Sequence, residues 1–266
     1  MEREAGRGIL DLLILGCGYT GQRVATRFLA RGARVTVTTR DPQRLTGLHA
    51  EIIRLSDVPG RIQRGTLVLH SIPPQEGLNV LDLLGDAPAR VVYLSSTGIY
   101  GRATFVDEHT PVDLQAERAR VRAEAEQAIA ARFSDSLFLR PAAIYGPGRG
   151  IHESIQRGSY SLSDTYVSRI HVEDLVAHVE AALLSGVSGA YPVADEEPCT
   201  SREMAEFCAN LLGLPPLRES KGRDELPSRF ASNRRVDGSA IRRLLGITLQ
   251  YPSYRVGVSA ALAATC

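Results

Sequence analysis

The chain has no tryptophan, two methionines and a single lysine, Lys221; every other basic residue is arginine. Genomic base composition accounts for such a bias. The chemical consequence stands all the same: a mechanism that needs a lysine has one candidate. An excess of charge of either sign is also missing, with 31 basic against 30 acidic residues. That balance excludes the electrostatic footprint of a nucleic-acid binder or of a protein held on an anionic membrane. Cysteine is sparse. Cys17, Cys199, Cys208 and Cys266 form no C-x-x-C pair and no metal-ligand cluster, and a disulfide framework is not expected in a chain of 266 residues. A reduced, cytoplasmic protein without a metal is the expectation. No apolar run approaches the roughly 20 residues of a membrane-spanning helix. The run from Leu12 to Cys17 looks like a lipoprotein cleavage site, but it is short and Asp11 interrupts it. Glu2 and Glu4 also stand where a signal would be basic.

What is present is alternation. A hydrophobic content of 44% over 266 residues suits one large α/β domain, or one domain with a small appendage. Residues 9–15 form a short apolar run fit for a strand buried on both faces. A helix is expected over 22–31, closed by Gly32, and a second strand over 34–39. Asp41 and Pro42 open another helix, as N-cap and first helical residue. Strands follow over 51–55, 66–70, 90–95 and 137–139. Helices are expected over 78–84 and 113–132. This order predicts a Rossmann-type, doubly wound parallel sheet. Residues 1–150 are expected to carry it. Residues 151–266 are expected to form a smaller substrate lobe interleaved with returning Rossmann elements at about 165–195. A helix over 172–184 belongs to that return.

Ligands of such sheets lie beyond the carboxyl ends of the strands, so the residues just after each strand are informative. After the first strand, Gly16-Cys17-Gly18-Tyr19-Thr20-Gly21 fits G-x-G-x-x-G. Gly16 permits the tight turn, Gly18 lets a pyrophosphate approach the backbone, and Gly21 lets helix and strand pack closely. The helix end supplies N–H groups and a positive dipole. Strand two ends Thr38-Thr39-Arg40, where an NAD site carries Asp or Glu for the ribose 2′-hydroxyl. Arg40 could pair with a 2′-phosphate, with Thr39 and Arg44 in support, so NADP is expected over NAD. The alternative is a solvated loop arginine. Asp57 after strand three is placed to meet the adenine edge, or is an ordinary turn aspartate, and Ser71 follows strand four.

Three further motifs occur in order: Tyr93-Leu94-Ser95-Ser96-Thr97-Gly98-Ile99-Tyr100-Gly101, then Arg140-Pro141-Ala142-Ala143-Ile144-Tyr145-Gly146-Pro147-Gly148-Arg149, then Arg169-Ile170-His171-Val172-Glu173-Asp174-Leu175. With the glycine turn they resemble the extended short-chain dehydrogenase/reductases of the NAD-dependent epimerase/dehydratase type, over nearly the whole chain. Tyr191-Pro192-Val193-Ala194-Asp195-Glu196-Glu197-Pro198 and Tyr251-Pro252-Ser253-Tyr254-Arg255 are similar to its atypical YeeZ-like branch. The resemblance implies a catalytic hydroxyl at Ser96, with Thr97 beside it, hydrogen-bonding a substrate oxygen. Satisfying backbone groups at a strand end is the other role open to these hydroxyls. It also implies a structural Asp174 and a dimer helix at 113–132.

The family's acid/base pair, Y-x-x-x-K, is where this chain departs. None of the nine tyrosines has a lysine four residues on, and Lys221 has Leu217 four residues before it. Aligned on its end, the 113–132 helix places Arg118 at the tyrosine position and Arg122 at the lysine position. Arginine keeps its proton at any working pH and cannot act as the acid. Arg122 could still hold ribose hydroxyls. A solvated face paired with Glu117, Glu124 and Glu126 is equally open. Tyr100, and after it Tyr145 and His171, are the remaining proton-transfer candidates, with His70 at the end of strand four. Tyr145 is also expected on the cofactor face. Arg149 and Arg169 could bind an anionic substrate group. Two functions follow. One is an NADP-dependent oxidoreductase or epimerase acting on a sugar, a nucleotide sugar or a similar polar small molecule. The other is a dinucleotide-binding sensor or partner-binding module without redox chemistry.

Overall fold

The computed structural model describes residues 9–74, 80–160, 162–217 and 233–264. Lys221 lies outside the described residues. Seven strands form the central sheet: β1 Asp11–Leu15, β2 Arg34–Thr38, β3 Glu51–Ile53, β4 Thr66–His70, β5 Pro88–Leu94, β6 Ser136–Pro141 and β7 Gly189–Val193. Their order is β7-β6-β5-β4-β1-β2-β3. The sequence of strand order reverses between β1 and β4, the switch point of a doubly wound sheet. β1 runs parallel to both neighbours, with Leu13 in register with Thr36 of β2 and Val68 of β4. Leu12, Leu13, Ile14 and Leu15 are all buried, as a strand covered on both faces requires. The expected α/β class and parallel sheet are therefore present.

Several boundaries differ from expectation for local reasons. Helix α1 covers Tyr19–Ala30 and begins three residues early, because Gly18 is its N-cap. The end of the glycine motif is thus the helix's own first turn. Gly32, at φ +76°, closes it: Gly32 N–H bonds Leu29 O at 2.9 Å and Ala33 N–H bonds Phe28 O at 3.0 Å. The helix expected at Asp41 is a single 3-10 turn, Pro42–Leu45. Asp41 makes no side-chain cap there; its carboxylate pairs with Arg44 at 2.9 Å. Helix α2 is Val80–Leu84. Helix α3 covers Glu117–Arg132, shorter than expected because Asp113 Oδ1 accepts from Gln115 N–H in a turn ahead of it.

Helices α4 Ile151–Gln156, α5 Val172–Leu184, α6 Ser201–Leu211, α7 Ser239–Leu245 and α8 Tyr254–Ala263 complete the described chain. Helix α5 has the expected bounds. Helix α6 opens with a capping box that Thr200 and Glu203 form reciprocally. Two compact units are distinguishable. One contains residues 1–94, 124–138 and 179–189; the other contains 95–123, 139–178 and 190–266. In the second, Tyr145, Met204, Cys208, Tyr254 and Val258 form one apolar cluster, and Ile99, Tyr100, Val106, Ala123 and Val236 another. No described helix is long and apolar enough to cross a membrane.

Candidate functional site

In the first unit the glycine turn follows β1 directly. Gly16 has φ +82°, and an added Cβ would lie 2.9 Å from Ile72 Cγ1, so only glycine fits. Thr38, the last residue of β2, holds the turn: its Oγ1 accepts from Gly16 N–H at 3.0 Å and its carbonyl from Cys17 N–H at 2.7 Å. Sequence reasoning missed Thr38; its place just before Thr39 was the available signal. A Cβ on Gly21 would sit 3.2 Å from Ile14 Cγ2, which is the close helix–strand approach expected. Gly18 is exposed, and an added Cβ would meet nothing within 4 Å. No side chain caps this end of α1. Thr20 is buried, and the Tyr19 ring stacks on Arg23 at 4.1 Å. Ser71 Oγ is buried without a hydrogen-bond partner among the described residues. An open cradle at Gly18, an uncapped helix N-terminus and an orphaned hydroxyl together fit a bound pyrophosphate.

At the end of β2, Thr39 Oγ1 accepts from Asp41 N–H at 3.1 Å. Arg40 is exposed and has no partner among the described residues. Arg44, expected to assist it, is held by Asp41. Asp57 is exposed in a 3-10 turn, Leu55–Gly60, and accepts from Ser56 Oγ at 3.0 Å. His70 is buried; its Nδ1 accepts from Ile72 N–H at 3.2 Å and its ring packs edge-on against Tyr93.

In the second unit a 3-10 turn, Thr97–Tyr100, has Ser96 as its N-cap. Ser96 Oγ accepts from Gly98 N–H at 3.1 Å. The hydroxyl thus satisfies a backbone group and keeps its own proton to donate. Ser95 Oγ is buried without a partner among the described residues. An added Cβ on Gly98 would lie 3.4 Å from Ser96 Oγ and 3.9 Å from the Arg122 guanidinium carbon. Ser96 Oγ and the Arg122 guanidinium therefore face the same open side of Gly98, where an added methyl group would make ordinary van der Waals contact with both. Gly98 was not foreseen as a site residue. Arg122 donates to Arg118 O at 2.8 Å; neither it nor the exposed Arg118 has an acidic partner among the described residues. The expected ion pairing of these two arginines with Glu117, Glu124 and Glu126 is not present.

The tyrosines are placed differently. Tyr100, expected at the reacting centre, is 1% exposed, and its hydroxyl accepts from Arg140 at 3.0 Å. It packs against Ile99, Val106 and Val236 because the 3-10 turn swings it inward. Tyr145, expected on the cofactor face, is 2% exposed and donates to Ser253 O at 3.3 Å. Gly257 makes room for it: a Cβ there would fall 2.1 Å from Tyr145 Oη. Burial, with Asp195 and Asp174 nearby, pushes its pKa far above the usual phenol range. The His171 ring lies 3.8 Å from that of Tyr251 and 5.2 Å from that of Tyr145. Arg169 is buried, donating to Val167 O at 2.7 Å and to Cys199 Sγ at 3.2 Å, so it holds the fold rather than facing an anion. Arg149 is exposed in the loop that Gly146 closes. Asp174 accepts from Gln250 N–H at 2.7 Å and Tyr251 N–H at 2.9 Å.

Burial also sets the pH response. It lowers His70 to about 4, and lowers His178 to about 4 against the opposing hydrogen bond to Asp174 O, with Arg242 adding to the lowering. Burial raises Asp195 to about 8, against the pull of Arg169 and the Glu197 N–H. Unfolded histidines protonate below about pH 6.5, before the folded ones do, so stability falls as pH drops from there towards 4. The unfolded Asp195 ionises near pH 4, whereas the folded one stays neutral up to about 8. Its contribution is present at low pH and is lost as pH rises towards 8. Below pH 6.5 two imidazoles outweigh one carboxyl; above it the carboxyl acts alone. We expect maximal stability near pH 6.5. Asp195→Asn should remove the alkaline decline, which at about 1.4 kcal/mol per pH unit lowers the parent's Tm by about 4 °C between pH 6.5 and 8. Equal Tm profiles for parent and variant would refute it.

Residues 11–97 match the family model described as NADP oxidoreductase, coenzyme F420-dependent. A 3-diazoavenalumate denitrifying reductase from Streptomyces sp. is 30% identical over 128 residues, which are 42% of this chain and 42% of that one. The matched part thus spans less than half of that relative. Over nearly the whole length the chain is similar to a functionally unknown conserved protein from Silicibacter pomeroyi. The two are 33% identical, with 96% of this chain and 98% of that chain covered and a TM-score of 0.81. A protein from Methylobacillus flagellatus assigned to the NAD-dependent epimerase/dehydratases is 26% identical. The coverage is 97% of this chain and 99% of that one, at a TM-score of 0.76.

Proposed function

We propose, from the premise that the chain belongs to the extended short-chain dehydrogenase/reductases of the NAD-dependent epimerase/dehydratase type, that it is an NADP-dependent oxidoreductase or epimerase of a polar small molecule, working without a tyrosine–lysine pair. Sugars and nucleotide sugars are the substrate classes in view. The observation that carries the reading is the convergence of Ser96 Oγ and Arg122 over Gly98. Gly18, the first turn of α1 and Ser71 hold the pyrophosphate, and Arg40 takes the 2′-phosphate. Bound NADP supplies or accepts a hydride. Ser96 donates a hydrogen bond to the substrate oxygen, and Arg122 stabilises the negative charge that develops there. The proton comes from water, because Tyr100 and Tyr145 are enclosed and the arginines keep theirs. The YeeZ-like motifs near Tyr191 and Tyr251 support placement in that branch. On this reading residues 1–150 act as the dinucleotide part and 151–266, interleaved with returning Rossmann elements at about 165–195, as the substrate lobe, in a cytoplasmic protein that dimerises through α3.

The test is NADPH absorbance against a panel of carbonyl substrates, including 2-oxo acids, aldoses and UDP-keto sugars. Ser96→Ala should lower turnover about 100-fold while NADPH affinity stays unchanged. Tight NADPH binding with no turnover on any substrate would favour the sensor reading, to which the loss of tyrosine and lysine also points. Arg40→Ala should weaken NADP binding about tenfold and leave NAD binding unchanged, in parallel fluorescence titrations. Tighter binding of NAD than of NADP by the parent would overturn the cofactor choice.

A further inference from the structure

The loop that carries Ser96 turns three of its carbonyls towards a buried arginine. This is Arg234, which precedes the short strand Arg235–Val236 and is 6% exposed. Its Nη1 donates to Thr97 O at 2.5 Å, its Nε to Ala103 O at 3.0 Å, and its Nη2 to Gly101 O. A planar guanidinium is the one side chain that reaches three carbonyls in one fixed fork. Arg234 is itself anchored on both sides. Its N–H bonds Tyr166 O at 2.8 Å, and its carbonyl accepts from Ser168 N–H at 3.2 Å. Ser168 Oγ accepts from Val236 N–H at 2.8 Å. Arg235 N–H bonds Thr104 O and Asp237 N–H bonds Val106 O, so the following strand runs along the far end of the same loop.

We propose that Arg234 is a positioning residue: its guanidinium clamps residues 97–103 and thereby fixes Ser96 Oγ and Gly98 beneath Arg122. The clamp touches no ligand and acts through the loop backbone. The role rests on the reading of Ser96 as the substrate contact. A lysine at 234 offers a single point charge, which cannot satisfy all three carbonyls in that arrangement. Loss of the fork frees the turn, and a displacement of about 1 Å at a reacting group costs on the order of 100-fold in rate.

Two arms test it. The first is a double-mutant cycle in NADPH-dependent turnover with Arg234→Lys and Ser96→Ala. Arg234→Lys should lower kcat about 30-fold with NADPH affinity unchanged. Combined with Ser96→Ala, it should add less than about threefold to the loss from Ser96→Ala alone. A purely structural residue would give multiplying losses, and that result would overturn the proposal. The second arm is amide hydrogen exchange at Gly98, Ile99 and Gly101, which needs no turnover. Exchange there should quicken at least about tenfold in Arg234→Lys, with the amides of β1 and α1 unchanged. Unchanged exchange in the loop overturns the clamp whether or not the protein is an enzyme. Absent turnover with quickened exchange would overturn the functional reading and keep the clamp. Should Arg234→Lys fail to fold, Ser168→Ala replaces it in both arms, since it loosens the anchor and leaves the guanidinium in place.

Discussion

A Gly18→Val variant will fold like its parent and bind NADPH about 100-fold more weakly. Gly18 has a negative φ of −104°, so backbone handedness does not bar a side chain there, and replacing the glycine N-cap costs about 1 kcal/mol at most. An added Cβ meets nothing within 4 Å, so the folded chain has no contact to lose. On the proposed reading a pyrophosphate enters this space, and the valine methyls would occupy its approach to the helix end. A 100-fold loss corresponds to about 2.7 kcal/mol, the scale of two charge-assisted hydrogen bonds weakened by displacement. Fluorescence titration with NADPH measures it, and thermal unfolding serves as the control. Affinity within about threefold of the parent would remove Gly18 from the cofactor cradle. The neighbouring Gly16→Ala is no substitute. It combines a positive φ with a 2.9 Å clash, and would report on folding instead.

The second large effect is on stability. Arg90 near the start of β5 is 3% exposed yet charged. Its Nε donates to Ala182 O at 2.6 Å, Nη1 pairs with Asp135, and Nη2 donates to Val187 O and, at 3.4 Å, to Ser185 Oγ. It thereby ties the end of α5 and the segment before β7 to the sheet within the first unit. Burial lowers its pKa and Asp135 opposes that shift, so the guanidinium remains charged. Arg90→Met keeps the volume and deletes every donor. The Ala182 carbonyl then keeps only its bonds from Ser185, while the partly buried Val187 carbonyl and the half-exposed Asp135 carboxylate lose their partner, at a cost of about 3 kcal/mol. We expect Tm to fall by about 10 °C, with NADPH affinity at saturating folded protein unchanged. A Tm within about 2 °C of the parent would mean that water satisfies those groups.

The glycine turn was readable at single-residue resolution because each glycine answers a local steric demand. Gly16 needs a positive φ, Gly18 open space and Gly21 contact with Ile14, and all three demands arise within a few residues of one strand end. The bounds of α5 and β4 were equally legible, since apolar pattern and capping are local. The 41–45 helix was misread: Asp41 and Pro42 do start a turn, but Gly47 at φ +85° lies only two residues past its end. Catalytic candidates were the least legible. A tyrosine a few residues past a strand gives no sign of whether its ring turns inward. Tyr100 and Tyr145 do, because Arg140 and Gly257 wait for them from distant parts of the chain.

The glycine spacing, the lone Lys221 and the strand–helix alternation are properties of neighbouring residues or of residue type. From them the sequence by itself determined the fold class, the glycine turn after the first strand and the absence of any tyrosine with a lysine four residues on. Tertiary structure alone decided which hydroxyls face out, since that depends on pairs far apart in sequence. Arg234 reaches Thr97 across 137 residues, Ser253 meets Tyr145 across 108, and Thr38 meets Gly16 across 22. Whether a polar group serves the fold or is left to a ligand is set by such partners, and no local pattern encodes where they will be.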